Sequence, residues 1–259
     1  MCVSFFHPQD VKAVDEISPF IMYDNGAFSE WQAAIKRGEP WFIRSDWKPY
    51  YEWLEDRIYH PGRWAVIPDA PGAPSQLNDS LLPEWPFGRA KGVPLWHMDG
   101  PIDRLMRLCD RYDKVALGWV GEIDPDTGEV FKDQRRVDCP AYHQRMEEVA
   151  KALGNDWPPI HMMRGVKVAF QYPFHSADST SLAQNGHRYD YEHEDKWHGR
   201  KAYADRLESA DRRRGSIQRK SQKQGRESSR PQLGSDCMVG GKAGCGAEAE
   251  RACQLSFVF

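Results

Sequence analysis

Short apolar runs recur along the first 178 positions, and between them lie longer stretches whose apolar residues fall at helical spacing. Cys2-Val-Ser-Phe-Phe6 reads as a first strand, ended by His7-Pro8, and residues 9–17 follow with helical character. Phe20-Ile-Met-Tyr23 is a second strand. Asp46 caps a helix that reaches about residue 59, with Trp47, Tyr50, Tyr51, Trp53 and Leu54 on its apolar side. Pro61-Gly62 breaks it. Trp64-Ala-Val-Ile-Pro68 is a third strand, followed by a helix over residues 75–82. Val93-Pro-Leu-Trp96 is a fourth, and residues 101–111 form an amphipathic helix with Pro near its start. Lys114-Val-Ala-Leu117 is a fifth strand, after which residues 119–138 make a long loop. Residues 142–153 are helical, Ile160-His-Met-Met163 is a sixth strand, and Phe174-His-Ser-Ala177 a seventh.

Strand and helix alternate, each pair taking about 25 to 40 residues, so the pattern predicts βα units around a parallel sheet. The expected fold is α/β, a TIM-like (β/α)8 barrel over residues 1–210. About seven units are visible where a closed barrel has eight. Either residues 38–43 supply another strand or the barrel is reduced.

From residue 211 the character changes. Arg212-Arg213-Arg214 opens a run rich in Gln, Ser, Gly, Lys and Arg, nearly free of hydrophobics until Leu255-Ser-Phe-Val-Phe259. Such a segment buries too little apolar area to offset its ordering entropy, so residues 211–259 are expected to be a disordered basic tail. The formal charge of the whole chain, −3, hides a local imbalance. Residues 200–230 hold eleven Lys and Arg against four Asp and Glu, a net charge of about +7. That stretch is either a nucleic-acid-tracking arm or a solubilising tail. The six Cys are scattered without CxxC spacing and are expected as reduced thiols of a cytoplasmic protein. Cys237, Cys245 and Cys253, with His198 upstream, match zinc spacing poorly, so no metal and no cofactor are expected. No apolar run is long enough for a membrane span.

The chemistry lies where strands end. Asp24, Asp69, His97, Gly118 and Asp178 each follow a predicted strand, and in a barrel such positions converge on one face. Asn25-Gly26 beside Asp24 is a turn pair that tolerates positive φ and leaves the backbone open to close approach. Each residue also has a plainer explanation. Asp24 can form an Asx turn capping the next helix, and Asp178 can cap one before Ser179-Thr180-Ser181. Asp69 can be a loop carboxylate before Pro71, and His97 a satisfied interior imidazole under Trp96. Holding three carboxylates and an imidazole around one mouth is nevertheless costly unless they bind something or share protons. Two carboxylates can divide labour as nucleophile and general acid/base, which suits displacement at a sugar anomeric carbon. A third can accept hydrogen bonds from the N1–H and exocyclic amine of a flipped guanine-type base.

These residues resemble a known family. Asp24-Asn25-Gly26-Ala27-Phe28 is similar to the Asp-Ser-Gly-Gly/Ala-aromatic signature of tRNA-guanine transglycosylases, and Ser176-Ala177-Asp178-Ser179 resembles the segment carrying their nucleophilic Asp. Val66-Ile67-Pro68-Asp69 sits where the family keeps its base-recognising Asp. Val115-Ala-Leu-Gly118 with Gly121-Glu122 is similar to its Ala-Leu-Gly-Gly…Gly-Glu motif, and His161-Met162-Met163-Arg164-Gly165 lies at its Leu-Met-Gly strand end. The order is kept over residues 20–186. The closest resemblance is to the short phage and mobile-element branch, the DNA 7-deazaguanine transglycosylases. It implies Asp178 as nucleophile at C1′ and Asp24 as general acid/base. It implies Asp69 as reader of the guanine edge, with His97, Gly118 and Met162 lining the base pocket and Asn25 and Gly26 beside it.

Two departures point from tRNA to DNA. The family's Cys-x-Cys-x-x-Cys…His zinc subdomain is absent from residues 185–198, and His97 stands where the tRNA enzymes use Gln. The expected activity is exchange of guanine in DNA for a 7-deazaguanine base through a covalent glycosyl-Asp intermediate. Its partners are DNA and the free base, and a homodimer is compatible with it. Exchange on tRNA, a catalytically inactive nucleic-acid-binding barrel and an unrelated barrel glycoside hydrolase are the alternatives.

Overall fold

A computed structural model describes residues 1–39, 43–122 and 130–179, and the backbone of 256–258. The strands are β1 (Cys2–Ser4), β2 (Ile21–Asp24), β3 (Arg63–Val66), β4 (Gly92–Val93), β5 (Leu95–His97), β6 (Val115–Gly118), β7 (Ile160–Met162), β8 (Ser176–Asp178) and β9 (Ser256–Val258). The helices are α1 (Val11–Ile17), α2 (Ala27–Lys36), α3 (Lys48–Glu55), α4 (Ser75–Leu81), α5 (Ile102–Arg111) and α6 (Pro140–Leu153). The described residues form one compact unit, which spans 1–180 and 255–259. The expected boundary at 210/211, the basic arm and the tail cysteines lie outside the described residues.

The chain is mixed α/β. Every strand pairing is parallel, and the strands neighbour one another in chain order, β1-β2-β3-β4 and β5-β6-β7-β8-β9. Parallel neighbours need crossover connections, which the helices supply as far as β7. Among the described residues the β7–β8 connection is made of turns alone. Pro94 marks the seam between the two sheets because it has no N–H to donate. On one side Val93 O accepts from Ile67 N at 3.0 Å, and on the other Pro94 O accepts from Ala116 N at 2.9 Å. The segment 92–97 thus serves β3 with its first half and β6 with its second.

Strand alternation sends neighbouring side chains to opposite faces. On one face Val3, Ile21, Tyr23 and Ala65 pack with Trp47, Tyr50, Leu54 and Ile58 of the α3 region, with Tyr51 and Trp53 partly buried against them. Full burial of Tyr50 and Leu54 contributes about 2 kcal/mol each. Against the expectation of a helix capped by Asp46 and reaching about residue 59, this helix has Trp47 at its N-cap and ends at Glu55, while Asp46 Oδ1 accepts from Lys48 N at 3.0 Å just before it. The other face gathers Met22 and Val66 with Cys2, Trp64, Leu95 and Met163. The rings of Trp64 on β3 and His161 on β7 meet with centroids 5.1 Å apart. Along a flat sheet these strands would stand about 14 Å apart, so the strands curl around this second face.

Two further expectations need correction. No strand occurs at Gly38, Glu39 or Ile43, and residues 40–42 lie outside the described set. Residues 256–258, placed with the disordered tail, instead form β9 and pair in register with β8, Asp178 opposite Val258. The reason is local: Leu255-Ser-Phe-Val-Phe259 is a β-prone apolar run. The polar composition upstream concealed it. Among the described residues no helix is long and apolar enough to cross a membrane.

Candidate active site

The inward-facing positions at the C-terminal strand ends carry the polar groups. Asp24 closes β2, and its Oδ2 accepts from Ser4 Oγ on β1 at 2.8 Å and from Gly26 N at 3.2 Å. Asn25 then spends its amide on the fold. Its Nδ2 donates to Ile67 O at 3.0 Å and to Asp69 Oδ1 at 2.7 Å, while its Oδ1 accepts from Ala27 N at 2.9 Å at the start of α2. The Asx-turn explanation is therefore satisfied by both residues, and it coexists with a second role for Asn25 as the anchor of Asp69.

Gly26 is required twice over. Its φ is +78°, and a Cβ there would stand 2.9 Å from Phe6 N. Gly26→Ala should cost about 2 kcal/mol or more and push Asp24 out of line. Thermal melting and activity of the variant check this, and a wild-type Tm would contradict it.

Asp69 lies just beyond β3, buried, between two partners. Asn25 holds Oδ1, and His97 Nε2 sits 2.8 Å from Oδ2. His97, at the end of β5, is buried and oriented by this bond. Gly118 ends β6 beside His97, and its carbonyl accepts from Met98 N at 2.9 Å. One lone pair of that carbonyl is thus already used inside the sheet.

Asp178 ends β8 and is 3 % exposed. Its Oδ1 accepts from Arg164 N at 2.5 Å, and His161 Nε2 lies 3.4 Å from the same oxygen. His161 is fully buried, with Nδ1 against Ser176 Oγ at 2.9 Å and Nε2 lacking a hydrogen-bond partner. The capping explanation for Asp178 turns on residues from 180 onward, outside the described set.

The electrostatics tie the ends together. Burial pushes Asp24 from the usual carboxylate range up to about 6. The Ser4 hydrogen bond pulls it back, and the charges on Asp69 and then Asp178 push it up further. Cys2, on β1, is raised chiefly by burial, with Asp178 and Asp24 adding to it. The charges of Asp69, just beyond β3, and of Asp178, on β8, thus reach the Asp24 carboxyl on β2. Among the described residues no three His, Cys, Asp or Glu side chains are grouped closely enough to hold a metal ion.

Met162 does not join this group. It is fully buried on the helix-facing side of β7, where Tyr142 Oη donates to its Sδ at 3.6 Å. His161 takes the inward position, so alternation sends Met162 outward. Met163, the next residue, packs with Met22 and Val66 on the inner face.

Two groups had no signal in the residue pattern: Ser4 and Arg164. Ser4 becomes visible only through β1–β2 register, Ser4 opposite Asp24. Arg164 has a φ of +54°, in the left-handed region that non-glycine residues occupy at a cost. That conformation aims its N–H at Asp178. Its guanidinium lies over the Phe28 ring, 4.1 Å from the centroid, and Nη2 donates to Trp119 O at 2.5 Å. The chain matches no protein-family model, no curated protein and no solved structure.

Proposed function

We propose that the protein exchanges a guanine base in DNA for a 7-deazaguanine, on a closed eight-stranded (β/α) barrel. For closure, segment 92–97 counts as one strand and β9 as the eighth. The observation that carries the activity is the buried Asp24 carboxyl at a strand end, pushed up by burial and by the charges of Asp69 and Asp178. Three acids around one mouth are tolerated when each has a separate task.

Asp178 Oδ attacks C1′ of the nucleotide, the C1′–N9 bond breaks, and the electron pair leaves with the purine. Asp24, with its carboxyl near 6, gives a proton to the departing base. The incoming 7-deazaguanine returns a proton to the Asp24 carboxylate and attacks C1′. The C1′–Oδ bond then breaks and Asp178 is released. Asp69, fixed by Asn25 and His97, keeps a second lone pair on each oxygen for the N1–H and amine of the base. The Arg164 N–H holds the Asp178 carboxylate in orientation.

Offering labelled guanine with single-stranded DNA, duplex DNA and tRNA tests the reading. Label is expected in DNA and not in tRNA. Label in tRNA alone would move the substrate to RNA, and no label in any would reject base exchange.

A further inference from the structure

We propose that His161 is a positioning residue for the Asp178 carboxylate: its Nε2–H joins the Arg164 N–H on Oδ1, so that Oδ2 is the atom that attacks C1′ and later leaves it. This role rests on the base-exchange reading, which makes Asp178 the nucleophile.

Strand geometry brings the groups together. Ser176 and Asp178 are two residues apart on β8, so they point to the same side. His161 on β7 stands opposite Ser176 in the register. One imidazole thus spans both: Nδ1 lies 2.9 Å from Ser176 Oγ, and Nε2 lies 3.4 Å from Asp178 Oδ1. His161 has no exposed surface, and the Trp64 ring meets it edge-on at 73°. Nε2 completes no hydrogen bond. A buried polar atom without a partner is rare, and this one faces a carboxylate.

The hydrogen on Nε2 follows from these neighbours. A bare Nε2 would set a lone pair against a carboxylate oxygen, which is repulsive. Two forms remain. In the neutral ring Ser176 O–H donates to Nδ1 and Nε2 carries the hydrogen; in the imidazolium both nitrogens donate. Either form presents an N–H to Oδ1. At 3.4 Å the bond is open, and such bonds tighten as the reacting geometry forms.

Oδ1 then holds two donors, one from Arg164 and one from His161. Oδ2 has no donor among the described residues and is left for C1′. Donors on Oδ1 favour the carboxylate over the ester, in which that oxygen is a neutral carbonyl. In the first step the Oδ2–C1′ bond forms, the C1′–N9 bond breaks, and its pair leaves with the purine. In the second the incoming base bonds to C1′, and the C1′–Oδ2 pair returns to Asp178. The returning charge is what the two N–H groups stabilise, so His161 acts on release of the intermediate.

The first test needs no turnover. In the full wild-type chain, histidine-ring 15N spectra should show a hydrogen on His161 Nε2, assigned through its contact with the Trp64 ring. That N–H signal should move in Asp178→Asn. A bare Nε2, or an unmoved signal, overturns the proposal. The second test follows the denaturation-stable protein–DNA adduct after excess 7-deazaguanine is added. An Asn amide stands at the place of Nδ1 and keeps only Ser176, whereas a Gln amide reaches the place of Nε2 and keeps a donor for Asp178. His161→Asn should slow release about tenfold, the worth of a hydrogen bond to a charged group. His161→Gln should release at close to the wild-type rate. Unchanged release in His161→Asn, or equal slowing in both variants, overturns the role. If His161→Asn does not fold, the ring spectra of the wild type and of Asp178→Asn decide. A wild type with the Nε2 hydrogen and the moving signal but no adduct supports the His161–Asp178 contact and rejects base exchange.

Discussion

Asp24→Asn should make the protein more heat-stable at pH 8 while slowing base exchange. Burial, with the charges of Asp69 and Asp178, lifts this carboxyl from 3.8 to about 6 in the folded chain. The unfolded carboxyl titrates near 4. Between those values the folded state binds more protons than the unfolded, so stability falls as pH rises through the window and stays low above it. The shift corresponds to about 3 kcal/mol, and partial solvent access at Asp24 trims it to about 2. Asn removes the charge and keeps the acceptor used by Ser4 and Gly26. The variant should melt about 6 °C higher at pH 8, and the gain should vanish near pH 4. Exchange should fall by about 10²–10⁴-fold with the proton carrier gone. Identical melting of both proteins at pH 8 would show that this charge costs the fold nothing.

Asp178→Asn should abolish the covalent intermediate and lower the exchange rate by about 10⁴-fold or more, as loss of a nucleophile does elsewhere. The amide oxygen can still accept from Arg164 N–H, so the site keeps its shape. Incubation with DNA and a 7-deazaguanine should leave a denaturation-stable protein–DNA adduct in the wild type and none in the variant. A second effect is independent of turnover. With one neighbouring negative charge removed, Asp24 should titrate below its wild-type value of about 6, read by carboxyl-carbon NMR. An adduct that persists in the variant would move the nucleophile elsewhere.

What the residues revealed in advance follows from which forces are local. The apolar runs of β2, β3, β6 and β7 and the spacing of α5 and α6 are set by burial within a few positions, so their places were legible to within two residues, whereas α3 stops at Glu55, about four residues before its expected end. The strand at 92–97 was legible as one element, whereas its division at Pro94 depends on which neighbour each carbonyl meets. Asp24, Asp69, His97 and Asp178 were legible because a strand end is itself a local signal. The partners were not. Asn25 reaching Asp69 spans 44 positions, and Ser4 reaching Asp24 depends on register. The exchange of Met162 for Met163 on the inner face turned on a one-residue difference in strand phase, which periodicity over three residues does not define. Arg164 shows its importance only through its φ of +54°.

The Pro94 seam has a consequence for how the molecule comes apart. Hydrogen-bonded ladders hold β1–β4 as one cooperative block and β5–β9 as another. Asp24 and Asp69 ride on the first block, Asp178 and His161 on the second. Between the blocks stand the His97–Asp69 bond, the Trp64–His161 ring contact, Leu95 and Met163 packed on Met22 and Val66, and Arg164 over Phe28. A partial opening along this line leaves most backbone ladders intact, so its free energy lies below that of global unfolding. Inactivation by mild heat or denaturant would then precede loss of secondary structure, with the acids parted while the strands persist.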